Sequence, residues 1–453
     1  MADASRIVQR IRRRPARPST ALPASLWADQ LLGPVTPRSA LRGELRADVC
    51  VVGAGFTGLW TAYHLATLAP ERRVVVVESE VAGFGASGRN GGWCSALFPV
   101  ASMADQLRPA LAATVDEVGA VAAAEGIDCD FAKDGYLCLA TTPAQEARLR
   151  AEGRGWLNAD QVAARVRIPG ALGGVFDPEC AALSPGKLVR GLADAVERRG
   201  VTVFEHSPAR AIAPGLVELD GGTVRADAVI RATEAWTPRF AGHRRELVPI
   251  YSLVIATEPL PAAAWDEIGW RERFTLNDAR RLIIYAQRTA DGRIVLGGRG
   301  APYHLGSRIK PSFDHEDAVF EHLRRTLGTL FPAAARAEIT HRWGGPLGVP
   351  RDWAPSVRFD PATGLGSGGG YVGDGVAASA LAGRTLAELV AGLDTPNTRL
   401  PWVNRRTRPW EPEPLRWLGV NAGRLGAATA DARENRTGRP SHLGKAVDRL
   451  TGH

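Results

Sequence analysis

Lysine, cysteine and long apolar runs are scarce in this chain, and each shortage removes a class of protein. The five cysteines, Cys50, Cys94, Cys129, Cys138 and Cys180, are odd in number and never spaced Cys-x-x-Cys. They exclude a disulfide framework and a zinc site, and they fit reduced thiols in a cytoplasmic protein. No apolar stretch approaches the ~18 residues that span a bilayer. Of 56 basic residues only Lys133, Lys187, Lys310 and Lys445 are lysines. The net charge of +8 comes from arginines gathered partly in the first 17 residues and near the end. No aromatic-interleaved basic motif accompanies them, so no nucleic-acid partner is expected, and the arginine excess reads as coding bias. The first 46 residues hold Pro15 and Pro18 but no apolar core, which excludes a secretory signal and suggests a disordered arm. No Ser-His-Asp set, metal-ligand cluster or paired-carboxylate motif appears; His304 and His341 stand alone.

What is present is concentrated in glycine. Val49 to Val52 form an apolar strand that runs into Gly53, Ala54, Gly55, Phe56, Thr57 and Gly58. Val74 to Val77 and then Glu78 follow at the distance a helix would fill. This is the strand–turn–helix–strand unit that binds the ADP part of a dinucleotide. Gly53 permits the tight turn, Gly55 lets backbone approach a pyrophosphate, and Gly58 lets the helix pack on the strand. The helix N-terminus offers free N–H groups to phosphate. Glu78 suits both hydroxyls of a ribose, and the following Ser79 and Glu80 argue against a 2′-phosphate.

Two more glycine-rich segments extend the pattern. Gly85, Ala86, Ser87, Gly88, Arg89, Asn90, Gly91 and Gly92 suit backbone lying close to an extended ligand, with a surface loop as the alternative. Ser87 and Arg89 are placed to reach phosphates, and Asn90 to Gly92 to face a flat ring. Gly370, Tyr371, Gly373, Asp374, Gly375 and Val376 lead into a helix expected from about Ala377 to Leu393. That helix start suits the C2=O side of a flavin, and Asp374 is also a candidate cap.

With these pieces the chain resembles the D-amino-acid-oxidase-type FAD-dependent oxidoreductases. Within them it is most similar to the gamma-glutamylputrescine oxidase and putative aminophosphonate oxidoreductase branch. The matching strings are Gly53 to Tyr63, Gly85 to Gly92, Ala232 to Trp236, Asp291 to Arg293, Trp343 to Gly345 and Gly370 to Gly375. The tail from Pro412 to Gly419 also resembles that branch. The resemblance implies FAD, with Ser79, Ala209 and Thr233 added to the cofactor contacts; non-covalent binding is expected because nothing in the Gly53 to Gly58 motif requires a linkage and Cys94 is the only cysteine near the presumed ring site. It implies oxidation of an amine or amino acid, with a gamma-glutamylated amine or an aminophosphonate as finer expectations. Two features depart from the relatives. Many carry His or Asn where Asp374 stands, and some place a lysine over the flavin, whereas no lysine lies between Lys187 and Lys310.

The expected fold is α/β, a Rossmann-like FAD-binding domain with an inserted antiparallel-sheet substrate domain. An N-terminal arm takes 1–46, and the FAD-binding domain takes 47–100, 185–246 and 341–395. The substrate domain takes 101–184 and 247–340, and a helical tail takes 396–453. Short strands from Tyr251 to Thr257, Leu282 to Gln287 and Arg293 to Gly297, the last two joined at Asp291-Gly292, carry the substrate-side candidates.

No second flanked Gly-x-Gly-x-x-Gly unit is found, so the simplest inference is that the substrate itself reduces the flavin. The carbon bearing the nitrogen gives a hydride to N5, leaving an imine, and oxygen or another acceptor reoxidises the cofactor. Candidate catalytic residues are Tyr251, Tyr285, Arg288 and Asp374. Tyr285 and Arg288 have opposite parity, so one regular strand cannot point both the same way. Arg288 is the candidate clamp for a carboxylate or phosphonate, with a surface hairpin arginine as the alternative. Trp343 either walls the pocket or packs in the core. A flavin monooxygenase, an NAD(P)H-linked reductase and a non-catalytic flavoprotein are the rival readings.

Overall fold

The computed structural model describes residues 9–10, 22–31 and 33–451. Of the arm expected to be disordered, residues 1–8, 11–21 and 32 lie outside the described residues, whereas Leu26–Asp29 forms a short helix that buries Leu26 and Trp27. Strand β1, Gly43–Val52, takes in the last four residues of the expected arm. Its last four residues are fully enclosed, because the sheet is covered on both faces; this is why the segment is continuously apolar. Helix α1, Phe56–Leu68, follows, and the chain returns as β2, Val74–Val77, parallel to β1 with Val49 beside Val74.

Helix α2, Ala101–Ala124, was assigned to the substrate domain but packs otherwise. Leu107, Leu111, Val115 and Val118 sit in the same core as Val49, Val51 and Leu59. Helix α3, Pro185–Arg198, adds Leu188, Leu192 and Val196 to that core and leads to strand Thr202–Phe204, parallel to β2. A hairpin then brings in β3, Gly222–Arg231, which runs parallel to β1 on its other side.

The second sheet is built from β4, Leu247–Thr257; β5, Ile284–Arg288; β6, Ile294–Arg299; and β7, Ile339–Pro350. Its strand order starts β7-β4-β6-β5 and continues through Thr275–Asp278, Tyr136–Ala140, Gly173–Asp177 and Trp156–Asn158. The sheet is antiparallel except where Thr275–Asp278 runs parallel to Tyr136–Ala140. Residues 341–350, expected with the FAD-binding pieces, are the body of β7 and pair with β4, so they belong to this sheet. One face carries its own core, including Leu253, Ile255, Phe274, Leu296 and Leu323.

The chain rejoins the first sheet through β8, Leu365–Gly369, parallel to β3, and then forms α4, Gly375–Val390. Helix α5, Leu415–Thr437, crosses back to the second sheet. There Asp431 accepts from the N–H groups of Arg281 and Leu282 at 3.0 and 2.9 Å, and Glu434 meets Arg148 and Arg281.

A Cβ on Gly58 would fall on the carbonyl oxygen of Gly53, a backbone atom held by β1. Gly58→Ala is therefore expected to lower the stability of the cofactor-free protein by about 1–3 kcal/mol, read as a drop in Tm. An unchanged Tm would show that the helix sits further from the strand.

Candidate functional site

The carboxyl ends of β1, β2 and β3 open into one cleft, and α1 begins at its floor. Gly53 turns there with φ +113° and Gly55 caps α1 without any side-chain hydrogen bond. The first helical N–H groups therefore have no partner within the helix, and only that of Phe56 is taken, by Ser87 Oγ at 2.8 Å. At the next strand end Glu78 is pinned by donors. Ala54 N–H gives to Oε2 at 2.8 Å, while Glu80 N–H and the Ser79 hydroxyl give to Oε1 at 3.0 and 3.1 Å. Burial pushes the Glu78 carboxyl up, and those donors act against the shift.

The opposite wall comes from the Gly369–Asp374 loop. Its backbone is held by Glu234, whose Oε1 accepts from Gly370 N–H at 3.0 Å and Tyr371 N–H at 3.3 Å. Burial raises Glu234 to about 7. The Tyr371 hydroxyl and Thr57 Oγ1 share a hydrogen bond of 2.8 Å across the cleft. Asp374 occupies the N-cap position of α4, but its side chain makes no capping hydrogen bond. Burial raises it to about 6, opposed by the charge of Arg299.

The cleft brings together most of the expected cofactor residues: Gly53, Gly55, Phe56, Thr57, Glu78, Ser79, Gly85, Ala86, Ser87, Asn90, Ala209, Thr233, Tyr371, Gly373, Gly375 and Val376. Ala54, Gly58, Gly88, Gly91, Gly92 and Gly370 stand behind this lining as close-packed backbone. Arg89 turns away: its buried guanidinium gives Nη1 to Asp314 at 2.8 Å and to the Gly344 carbonyl at 3.1 Å. Arg239, which no motif marked, is the cation on the cleft wall.

The second sheet separates the catalytic candidates. Tyr285 faces the cofactor side, with its ring against Gly91 and its hydroxyl 2.9 Å from Ser252 Oγ. Tyr251 is buried on the other face, where its ring meets His304 and Phe313. Arg288 also leaves that side. Its guanidinium stacks 4.1 Å from the Trp265 ring centroid and donates to the carbonyls of Trp270 and Arg271, and it does not line the cleft. Trp343 packs edge-on against Trp27 and donates to the Arg89 carbonyl, a core role.

Comparison with known proteins decides the family. Residues 48–389 match the family described as FAD dependent oxidoreductase, DAO. The chain belongs to the DAO family of FAD-dependent oxidoreductases. Among its DAO relatives, the gamma-glutamylputrescine oxidoreductase of Escherichia coli (strain K12) is 32% identical over 385 residues, covering 79% of this chain and 86% of that protein. A probable oxidoreductase OrdL of Haemophilus influenzae is 30% identical over 379 residues, covering 77% and 84%. The crystal structure of glycine oxidase from Geobacillus kaustophilus shares the fold, with a TM-score of 0.68 at 23% identity over 80% of this chain and 99% of that one.

The residues present fit the DAO cofactor. The uncapped start of α1 suits the pyrophosphate, Glu78 the ribose, and the backbone of Gly373 to Val376 the flavin side. Beside this cleft lies a second cavity of about 1500 Å³ between the second sheet and α5. Val372 lines the cleft and Arg299 lines the second cavity, and Arg299 donates to the Val372 carbonyl between them. Arg299 was missed from sequence; its signal is an arginine closing an otherwise apolar strand, Ile294–Arg299.

Gly55 already brings its backbone close to Ser87, with an added Cβ 2.9 Å from Oγ. Gly55→Val is expected to abolish FAD binding, measured as flavin absorbance per chain after gel filtration. A variant that keeps full FAD would place the cofactor elsewhere.

Proposed function

We propose that this enzyme oxidises an amine or an amino acid at the carbon bearing the nitrogen, releasing an imine that water hydrolyses. The observation that carries the reading is the large arginine-walled cavity set beside the cofactor cleft, with Arg299 of the one bonded to Val372 of the other. The names of the relatives support it, since one is an oxidoreductase of gamma-glutamylputrescine and another oxidises glycine. FAD, when bound, supplies the two-electron acceptor for the hydride leaving that carbon.

The chain's own residues position and enclose the substrate. Tyr285, a neutral phenol held so by burial, backs the Gly91 turn on the cofactor side. Trp353 and Arg299 form the cavity wall beside the cleft, with the guanidinium 5.2 Å from the indole centroid.

Anaerobic mixing tests the reading directly. Gamma-glutamylputrescine or another amine is expected to bleach the flavin of the holoenzyme, and NADPH is not. Bleaching by NADPH alone would replace amine oxidation with a reductase.

Asp374 carries a second test. Its folded-state value of about 6 lies above the ordinary 3.8, so the native protein holds this proton until the pH rises through about 6. Above that point a carboxylate stands at the start of α4 and opposes electrons entering the cofactor. Asp374→Asn is expected to raise the flavin potential above pH 6 by the equivalent of about 1 kcal/mol, with the gap closing below pH 6. The same proton favours the wild-type fold at low pH, so wild type loses Tm relative to the variant as pH rises from 3.8 to about 6. A potential difference independent of pH would remove Asp374 from this role.

A further inference from the structure

Gly419 and Gly423 stand one turn apart inside α5, and both line the large cavity. A glycine inside a helix weakens it, and close packing is the usual reason that one is kept. On Gly58 of α1, Gly119 of α2, Gly191 of α3 and Gly383 of α4, a Cβ would overlap Gly53, Phe131, Ile127 and Trp60 respectively. On Gly419 and Gly423 it would meet no atom within 4 Å, so packing does not account for them. Their effect is to leave the inward side of α5 bare. The helix is also anchored at this point. Asn421 accepts from the Tyr303 N–H at 3.1 Å and gives Nδ2 to the Tyr303 carbonyl at 3.0 Å, while Arg424 gives Nη1 to the Gly300 carbonyl at 3.0 Å. Gly423 lies between these anchors, and Gly300 follows Arg299, the residue bonded to Val372 of the cleft.

The charges on the cavity wall are balanced within the protein. Among the described residues, seven of its nine arginines have a carboxylate within ion-pair distance, and Arg299 has the charge of Asp374. Phe98, Ile250, Trp353, Trp410 and Leu443 line the same space with rings and alkyl groups. Its volume of about 1500 Å³ exceeds the roughly 300–1,000 Å³ of an ordinary ligand pocket. We propose that the substrate is an amine carrying a long, uncharged and mainly apolar body that lies along α5 over Gly419 and Gly423, so that these two glycines set the size of body admitted. The inference rests on the amine-oxidation reading for the reacting group. Each methylene of such a body that leaves water adds to binding at a distance from the reacting carbon.

The test uses the holoenzyme and putrescines acylated on one nitrogen. N-heptanoylputrescine and N-acetylputrescine share the reacting amine and differ only in methylene groups. Wild type is expected to favour the longer one by about 30-fold in kcat/KM, and to favour it by about tenfold over N-[(2-methoxyethoxy)acetyl]putrescine, a polar body of the same length. Gly423→Leu and the double variant Gly419→Leu/Gly423→Leu put alkyl groups into the space the body needs. They are expected to shrink the long-to-short ratio by about tenfold, with Gly423→Ala intermediate and FAD content as in wild type. Their Tm is expected to hold or rise, because leucine suits a helix better than glycine and here enters open space. Ala432→Leu, on the exposed side of α5, is expected to keep the ratio. A wild type that treats long and short bodies alike, or apolar and polar ones alike, overturns the proposal. So does a full ratio in the double variant, or a fall in its Tm, which would show the leucines meeting protein.

If no amine bleaches the flavin, the amine reading falls, and N-butylheptanamide, the same body without the amine, judges the cavity alone. Calorimetric binding to the holoenzyme that weakens in the double variant upholds the site for the body. No binding, or the same affinity in both proteins, overturns it.

Discussion

The rest of the site depends on how closely α1 can lie against β1. A methyl group on Gly58 would fall on the Gly53 carbonyl, and one on Gly53 would fall on the Ala232 carbonyl. Three backbone segments thus meet with no room for side chains, and this contact fixes where the open N–H groups of α1 point. Glu78 is held from the same place, since the N–H of Ala54 within the turn donates to it. On the far side, Gly383 of α4 packs so closely on Trp60 that both helices stack on this one strand end. A short steric constraint therefore sets the relative positions of the cofactor floor, the ribose carboxylate and the α4 start.

The parts of the site legible in sequence are those whose geometry is local. The turn from Gly53 to Gly58, Glu78 and the loops at Gly85 and Gly373 are dictated by backbone shape over a few residues. Their spacing carries the information directly. Tyr251, Arg288 and Arg89 were not legible in the same way, because their directions are set by partners distant in sequence. Arg89 points where Asp314 draws it, and Arg288 points where Trp265 and the carbonyl of Trp270 receive it. Parity correctly divided Tyr285 from Arg288 but could not say which face looked at the cofactor. The allegiance of α2 and of residues 341–350 was hidden for the same reason: an amphipathic helix or a strand does not name its partner.

Two non-glycine residues on the cleft hold left-handed backbone, Glu234 with φ +40° and Val372 with φ +59°. For a β-branched residue such as Val372 this conformation costs of order 1–3 kcal/mol. Each is fastened by a polar contact. Glu234 grips the N–H groups of Gly370 and Tyr371, and Arg299 grips the Val372 carbonyl. One strained position, Val372, lies on the Gly369–Asp374 loop, and the other, Glu234, lies on the segment that holds this loop.

The family match ends at residue 389, whereas α5, which walls the large cavity, begins at Leu415. The cavity thus has walls of two origins, one from the matched stretch and one from the tail, joined by contacts such as Asp431 with Leu282 and Asn421 with Tyr303. A change on the inward side of α5 would alter that wall without touching the glycine turns around Gly53, which lie in the other sheet.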